Sequence, residues 1–288
     1  MTFAYGGAMG GGIAMQDTGH MDPKDIIEAA ARLGPSVDFG KASSDYGKFR
    51  AGFPEAFFGR LAEQIALRAG LKALDIGTGT GTVARSLARR GLDVIGVDPS
   101  PEMMQEGAEI ARREGVSVDF REGRAETLAF PDQTFDIVTA GQCWHWFERE
   151  RAAAVAFRVL KPGGHLVICH FDWLPLRGNV VEATEQLIME ANPAWALAGG
   201  TGVYPHWPAD MANAGFTSLE TRSFDIAQPY SHEAWRGRIR ASAGIKASLD
   251  AEATARFDEI LASTLRARFP EDPLAVPHRV WWIVGERP

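Results

Sequence analysis

The stretch from Lys72 to Asp98 constrains the possible folds of this chain more than any other. It begins with a short apolar run that has the length and flanks of a buried parallel strand, and glycines follow at positions 77, 79 and 81. The spacing then predicts a helix, capped by Thr80 or Thr82 and ended by Gly91. A second apolar strand closes on the acid Asp98. The stretch therefore predicts a strand, a glycine-rich turn, a helix and a second strand.

A unit of this kind binds ligands at the carboxyl ends of its strands, where glycines let the backbone approach closely. The carboxylate of Asp98 can accept hydrogen bonds from both hydroxyls of a ribose. In a dinucleotide fingerprint the last glycine comes three residues after the second, and Thr82 stands at that position here. Asp75 precedes the first glycine by two residues, where a carboxylate would repel a pyrophosphate and suit a ligand with an ammonium group.

Five segments between residues 46 and 171 can be followed in the motif order of one enzyme family. They are YGKFRAGFP at 46–54, LDIGTGTG at 74–81, the acid Asp98, GRAETLAFPDQTFDIVTAGQCWHWF at 123–147 and RVLKPGGHLVI at 158–168. On these segments the chain resembles the class I S-adenosylmethionine-dependent methyltransferases, whose first motif is an acid followed by G-x-G-x-G. A lone glycine loop is a weak signal, whereas five ordered segments over roughly 120 residues are specific.

The resemblance implies an α/β fold: a Rossmann-like, doubly wound sheet of seven strands, the last antiparallel, with a helical cap. It also implies five parts along the chain. These are a flexible leader (1–20), an N-terminal helical lid segment (21–70), a cofactor-binding core (71–172), a substrate-covering insertion (173–215) and C-terminal core strands with inserted helices (216–288).

The cofactor that the resemblance implies is S-adenosylmethionine. Asp75 and the glycines at 77, 79 and 81 would hold its methionine end, Asp98 its ribose, and Gln142 would line the sulfonium side. Tyr46 and Arg50 match a Y-x-x-x-R pattern that lies over the cofactor, so Arg50 would pair with its carboxylate; an exposed loop arginine is the alternative. The predicted cofactor-binding residues are Tyr46, Arg50, Asp75, Gly77, Thr78, Gly79, Asp98, Pro99, Met103, Ala125, Glu126, Gly141 and Gln142.

The adenine end of the predicted site departs from the family pattern. The family often has an acid immediately before an alanine here, whereas this chain has Arg124-Ala125-Glu126. The N–H of Ala125 would still reach a ring nitrogen of adenine. Glu126 would supply the side-chain contact or would simply lie in the turn.

Methyl transfer from a sulfonium is an in-line displacement, so the enzyme has to align the nucleophile, exclude water and remove any acceptor proton. His145 ends the fourth predicted strand and titrates near neutrality, which makes it the first candidate for the base; packing between its two neighbouring tryptophans is the alternative. His170 and Asp172 leave the fifth strand on the same rim and are second candidates. The sequence has no metal-site spacing and no G-x-S-x-G nucleophile motif.

Several tryptophans fall in the predicted rim loops and the insertion. A rigid aromatic wall there would hold a flat or apolar substrate, and the alternative is that these rings pack the insertion against the sheet. Trp281 and Trp282 point to opposite faces of the last strand, so at least one is predicted to lie in the core. The predicted substrate-contacting residues are Trp144, Trp146, Trp173 and Trp207.

Composition limits the partners of the chain. The formal net charge is −7 and the basic residues are scattered, so we expect no nucleic-acid partner. No apolar run reaches transmembrane length, and residues 1–20 lack the features of a secretory signal, which predicts a cytoplasmic protein without a membrane partner. Cys143 and Cys169 form no disulfide framework.

The function predicted from the sequence is S-adenosylmethionine-dependent methylation of a small, aromatic or apolar molecule by a monomer or homodimer. One alternative is a protein that binds S-adenosylmethionine on the same fold without transferring the methyl group. Another is an NAD(P)-dependent oxidoreductase, which the glycine spacing and the later motifs disfavour. Methylation of RNA or protein is a further alternative, and the acidic charge counts against RNA.

Overall fold

The computed structural model describes residues 51–195, 197–242, 244–245 and 248–288. The predicted leader, Tyr46 and Arg50 therefore lie outside the described residues. No helix within these ranges has the length and apolar character needed to cross a membrane. The helices and strands are α1 (Glu55–Ile65), β1 (Lys72–Ile76), α2 (Thr82–Arg89), β2 (Asp93–Asp98), α3 (Pro101–Glu114), β3 (Asp119–Glu122), β4 (Phe135–Gly141), α4 (Arg149–Val159), β5 (Leu160–Trp173), α5 (Val180–Ala191), α6 (Trp207–Asn213), β6 (Thr217–Tyr230), α7 (His232–Arg240), α8 (Ala251–Arg268) and β7 (Leu274–Glu286), with 3-10 turns at Ala125–Thr127 and Trp144–Trp146.

The strands form one sheet in the order β3-β2-β1-β4-β5-β7-β6. The five strands from β3 to β5 are parallel, and β7 is antiparallel to both of its neighbours. The strand order reverses between β1 and β4, which opens a crevice at the carboxyl ends where ligands bind in doubly wound folds. The predicted fold class, with a seven-stranded sheet and an antiparallel last strand, is confirmed.

Helices cover both faces of the sheet because the inner strands β1, β4, β5 and β7 have consecutive buried residues, which point to opposite faces. On one face α1 and α2 bury Phe57 and Leu87 against the sheet together with Trp282. On the other face α4 and α6 pack with Trp207 and Trp281. Trp281 and Trp282 are thus neighbours in β7 that point to opposite faces, and both are buried. The sequence predicted at least one of them in the core, and the structure has both there.

A third apolar cluster forms a cap at the carboxyl edge of β5 and β6. It is centred on Trp235 of α7, which is fully buried, and its indole N–H donates to Thr184 Oγ1 of α5 at 3.1 Å. Phe257 of α8 completes the packing between these three helices. The cap is therefore built from two separate segments of the chain. The helix α6, which belongs to the predicted covering insertion, instead packs against α4 and the sheet.

Candidate active site

The loop between β1 and α2 depends on glycines that adopt a left-handed backbone. Gly77, Gly79 and Gly81 have φ values of 63°, 55° and 78°. A Cβ on Gly77 would lie 2.8 Å from Sγ of Cys143, so both the conformation and the close approach require glycine. Gly81 is itself the N-cap of α2 and no side chain caps this helix. The expectation that a threonine would cap it is wrong, because the chain enters the helix through a left-handed glycine.

Asp98 lies beside this loop at the carboxyl end of β2. Its Oδ2 accepts the N–H of Gly79 at 2.8 Å and its Oδ1 accepts the N–H of Ser100 at 2.9 Å. Burial raises the pKa of the carboxyl group, and the two N–H donors offset part of that rise. Pro99 is exposed next to it, whereas Met103 is buried. The structure therefore brings the glycine loop and the predicted ribose acid together.

Asp75 lies beneath the loop rather than at its surface. Only 2% of the residue is exposed, and its two oxygens accept the hydroxyls of Thr78 and Thr139, each at 2.6 Å. Burial raises the pKa of the carboxyl group to about 6, against the effect of these hydroxyls. Asp75 thus ties the loop to β4. Its contact with a ligand's ammonium group stays a prediction, and the structure leaves almost no accessible surface for it.

The carboxyl end of β4 is joined to that of β5 through Gln142. This residue has a φ of 64°, an uncommon conformation for a non-glycine residue. Its backbone N–H donates to Cys169 O at 2.9 Å, and its side-chain amide donates to Phe171 O. Gly141 comes just before it and leaves no room for a side chain, because a Cβ would lie 2.6 Å from Cγ2 of Val83.

The predicted adenine segment follows β3 and is fixed to both neighbours. The N–H of Gly123 donates to Asp98 O at 3.1 Å, so the segment lies beside the predicted ribose acid. Ala125 is buried. Glu126 accepts the N–H of Glu148 at 3.1 Å and therefore secures the start of α4. The Glu126 side chain thus has a partner within this part of the chain, and its contact with adenine stays a prediction.

A cluster of rings around one carboxylate lies at the carboxyl ends of β4 and β5. His170 is buried, and its ring centroid is 5.3 Å from that of His145 and 4.4 Å from that of Tyr204. The Tyr204 hydroxyl donates to Asp172 Oδ2 at 2.6 Å, and His170 Nδ1 lies 3.4 Å from the same oxygen. His170 therefore stands between the half-buried His145 and the carboxylate.

Asp172 is the permanent charge of this cluster. Burial raises the pKa of the carboxyl group, but His170, the Tyr204 hydroxyl and His145 together lower it to about 2. An anion in this position can orient an imidazole and stabilise the imidazolium that forms when the ring accepts a proton. The arrangement is therefore suited to proton removal at the edge of the sheet.

The four predicted substrate tryptophans divide into two pairs. Trp144 is fully buried and donates to Asp210 Oδ2 at 3.0 Å, and Trp207 is fully buried and stacks on Tyr204 at 3.9 Å. The packing alternative describes these two. Trp146 and Trp173 are half-buried and retain accessible surface.

His145 also faces a cleft of about 400 Å³ that is lined by charged side chains. Arg149, Asp210 and their neighbours at the start of α4 form its other walls. The sequence analysis missed Asp210 and Tyr204 as partners of the site. Neither lies in a recognisable motif. The fold brings Asp210 to Trp144 and Tyr204 to Asp172, although each pair is far apart in the sequence. A tyrosine and a tryptophan close together in the predicted insertion were the one available signal.

Comparison with known proteins identifies relatives of this chain. A family model for a methyltransferase domain matches residues 74–168. The demethylmenaquinone methyltransferase of Thermus thermophilus is 40% identical over 188 residues, which cover 58% of this chain and 85% of that protein. Uncharacterized methyltransferases of Mycobacterium tuberculosis and Mycobacterium bovis are 36% identical over 136 residues, or 47% of this chain. The match spans about half the length of these mycobacterial relatives, 53%.

Solved structures share the fold at lower identity. A protein assigned as a type II methyltransferase from Anaeromyxobacter dehalogenans has a TM-score of 0.60 at 23% identity, covering 83% of this chain and 98% of that one. Phosphoethanolamine N-methyltransferase 2 of Haemonchus contortus, solved with phosphomonomethylethanolamine and S-adenosylhomocysteine, has a TM-score of 0.52 at 20% identity, covering 91% of this chain and 60% of that one. The shared sequence, motif order and sheet topology lead to one assignment: the chain belongs to the class I S-adenosylmethionine-dependent methyltransferases.

Proposed function

We propose that this chain binds S-adenosylmethionine at the carboxyl edge of β1, β2 and β4 and transfers its methyl group to a small organic acceptor beneath the cap. The observation that carries the proposal is the convergence of the glycine loop, Asp98 and the Gly141–His145 segment on one edge of the sheet. The family supports the cofactor, and the demethylmenaquinone methyltransferases among the relatives support an organic small molecule as the acceptor.

The residues at this edge fit the proposed cofactor. The left-handed turn at Gly77, Gly79 and Gly81 would serve as the cradle, because glycine lets a ligand approach the backbone closely. The Asp98 carboxylate is already oriented by two N–H donors beside it. A carboxylate at the end of the second strand suits a pair of ribose hydroxyls. The segment that contains Ala125 begins beside Asp98, because the N–H of Gly123 donates to Asp98 O. Bound in this cradle, S-adenosylmethionine supplies an electrophilic methyl group and a neutral leaving group.

The chain's own residues would position the acceptor and take its proton. His145 is half-buried, lies at the end of β4 and packs against Trp146 with ring centroids 4.5 Å apart, so it is the proposed base. Asp172, acting through the buried His170, would stabilise the imidazolium. We also propose that the chain is divided into a lid, a core, a covering insertion and a C-terminal part. In this arrangement α5, α7 and α8 lie over the acceptor.

Isothermal titration with S-adenosylmethionine, S-adenosylhomocysteine and NADH tests the cofactor. We expect the first two to bind and NADH not to bind. Asp98→Ala should weaken the binding of S-adenosylmethionine and of S-adenosylhomocysteine by about 1–3 kcal/mol. The reason is that the two charge-assisted hydrogen bonds to the ribose hydroxyls are lost. Asp93→Ala, at the opposite end of the same strand, is the matched control and should leave the affinity unchanged. Binding of NADH alone would refute the proposal, and unchanged affinity in Asp98→Ala would remove its ribose role.

Formation of S-adenosylhomocysteine during an acceptor screen separates an enzyme from a protein that only binds the cofactor. Flat aromatic amines, phenols and carboxylic acids are the first compounds to try. With an acceptor that loses a proton, His145→Ala should lower kcat by about 10²-fold or more and leave cofactor affinity unchanged. A fully active variant would exclude His145 from the mechanism.

A further inference from the structure

Tyr204 reaches the carboxylate of Asp172 from the loop before α6. Its ring stacks on Trp207 with centroids 3.9 Å apart, and Trp281 of β7 lies edge-on at 5.4 Å. The hydroxyl donates to Asp172 Oδ2 at 2.6 Å. Because the two tryptophans hold the ring, the position of the hydroxyl is set by packing. Removal of the oxygen alone would therefore leave the ring in place.

The loop that carries Tyr204 is fixed to the sheet a few residues earlier. The Arg279 guanidinium of β7 donates to Thr201 O at 3.0 Å and to both carboxylate oxygens of Asp225 in β6 at 2.7 and 2.8 Å. Gly202 has a φ of 65°, and a Cβ at this position would lie 3.1 Å from Cβ of Arg279. The loop thus packs closely on β7 and brings the Tyr204 hydroxyl to the end of β5.

Tyr204 and His170 share one oxygen of Asp172. The hydroxyl oxygen lies 2.6 Å from Oδ2, whereas His170 Nδ1 lies 3.4 Å from it. The short contact therefore goes to a neutral hydroxyl and the long one to the imidazole. A hydrogen bond that a carboxylate accepts stabilises its charged form and weakens its attraction for a nearby proton. The Tyr204 hydroxyl thus reduces the charge that Asp172 presents to the imidazoles of His170 and, 5.3 Å beyond it, His145.

Other charged and titratable groups face the same cluster. Arg238 of α7 and His278 of β7 interact electrostatically with Asp172 from the cap. Burial lowers the pKa of the His278 imidazole to about 4, so this ring is neutral at pH 7. All of these groups are still present when the Tyr204 hydroxyl is removed, so a change in the titration of His145 reports on the hydroxyl. The remaining groups line the cleft that His145 faces or lie next to it: Glu148, Arg149, Glu150, Arg151, His206 and Asp210.

We propose that Tyr204 is a positioning residue for the base: its hydroxyl limits the charge that Asp172 directs at the histidines and so keeps His145 unprotonated until the acceptor arrives. The inference rests on the proposed methyl transfer with His145 as the base. A general base has to be unprotonated at the working pH, and a carboxylate at full strength would hold a proton on the imidazole pair beforehand. During the reaction the N–H or O–H bond of the acceptor breaks and its proton moves to His145, whereas Tyr204 keeps its own proton.

An NMR titration of His145 in the full chain tests the inference without an acceptor. The protein carries carbon-labelled histidine and is loaded with S-adenosylhomocysteine, and the His145 signal is assigned by its loss in His145→Gln. We expect Tyr204→Phe to raise the pH midpoint of this signal by about 0.5–1 unit, because Asp172 then directs its full charge at the imidazoles. An unchanged or lower midpoint would overturn the inference.

Asp172→Asn is the matched control, since it keeps the shape of the side chain and removes its charge. It should lower the midpoint, and Tyr204→Phe added to it should cause no further shift. A rise of the same size in that background would also overturn the inference, because the hydroxyl would then act without Asp172. Replacement of the tyrosines by ring-fluorinated tyrosine, whose hydroxyl is a stronger donor, should lower the midpoint in the unaltered sequence and not in Asp172→Asn. This measurement decides if Tyr204→Phe does not fold.

The pH profile of methyl transfer separates the inference from the proposed function. With an acceptor that loses a proton, kcat of Tyr204→Phe should fall roughly threefold at pH 7 and should recover at pH 9. A purely structural defect would lower kcat at both pH values, which would contradict the inference. If S-adenosylhomocysteine does not bind or no acceptor is methylated, the proposed function fails. The NMR midpoints, measured then in the free chain, still decide whether Tyr204 acts on His145 through Asp172.

Discussion

Asp75 shows how a single residue can support the glycine loop from beneath it. Its carboxylate accepts two threonine hydroxyls, one from the glycine loop and one from β4. The motif singles out this acid by its place before the first glycine. Its burial was not predictable, because the threonine from β4 reaches it only when β4 pairs with β1. The identity of a motif residue is thus local information, whereas its environment depends on strand pairing.

The burial of Asp75 gives a pH dependence with a definite sign. Its folded pKa is about 6 and the ordinary value is 3.8, so the folded state binds this proton more tightly than the unfolded state. Ionisation of this group therefore destabilises the fold as the pH rises toward and through 6. Lowering the pH from 7 to 5 should increase the free energy of unfolding by about 1 kcal/mol. Urea unfolding of the unaltered chain and of Asp75→Asn at both pH values measures this. Parallel pH dependences in the two proteins would contradict it.

At the scale of elements, the strand-turn-helix unit was predictable and its helix cap was not. Apolar length, glycine spacing and the terminal acid defined β1, α2 and β2. The sequence predicted one of two threonines as the cap of α2. The N-cap residue is instead Gly81, which has a left-handed conformation. Capping preference is a weak local energy, and the close packing of the loop against neighbouring side chains overrides it.

The contact between α2 and β4 gives the prediction at this scale. Gly141→Ala would put its Cβ 2.6 Å from Val83 Cγ2, so one element has to move away from the other. We expect a loss of about 1–3 kcal/mol in the free energy of unfolding, as for other overpacked cores. Val83→Ala should restore part of that loss in the double variant, because it removes the clashing methyl group. Gly59→Ala in α1 is the control: a Cβ there meets no atom within 4 Å, so the helix should be unchanged or slightly stabilised.

At the scale of the whole molecule, sequence reasoning gave the sheet and missed the construction of the cap. The ordered motifs implied a doubly wound sheet of seven strands and an antiparallel last strand, without giving the full strand order. The cap joins α5 to α7 and α8, which are separated along the chain by β6 and the loops around it, and only the packed Trp235 shows that they form one unit. Arg238 belongs to that unit, so its place opposite Trp173 could not be read from α7 alone.

The proposed cofactor site draws on the glycine loop, Asp98, the turn after β3 and the end of β4, all joined through one sheet. Because these segments share a core, S-adenosylhomocysteine should protect them from hydrogen exchange together and should stabilise the whole fold. A ligand at one hundred times its dissociation constant adds about 2.7 kcal/mol, which for a chain of this size is a rise in Tm of roughly 5–10 °C. NADH should give neither effect, and Asp98→Ala should reduce both at a fixed ligand concentration. Protection confined to one of the four segments would mean that they do not form a common site, even if the ligand binds.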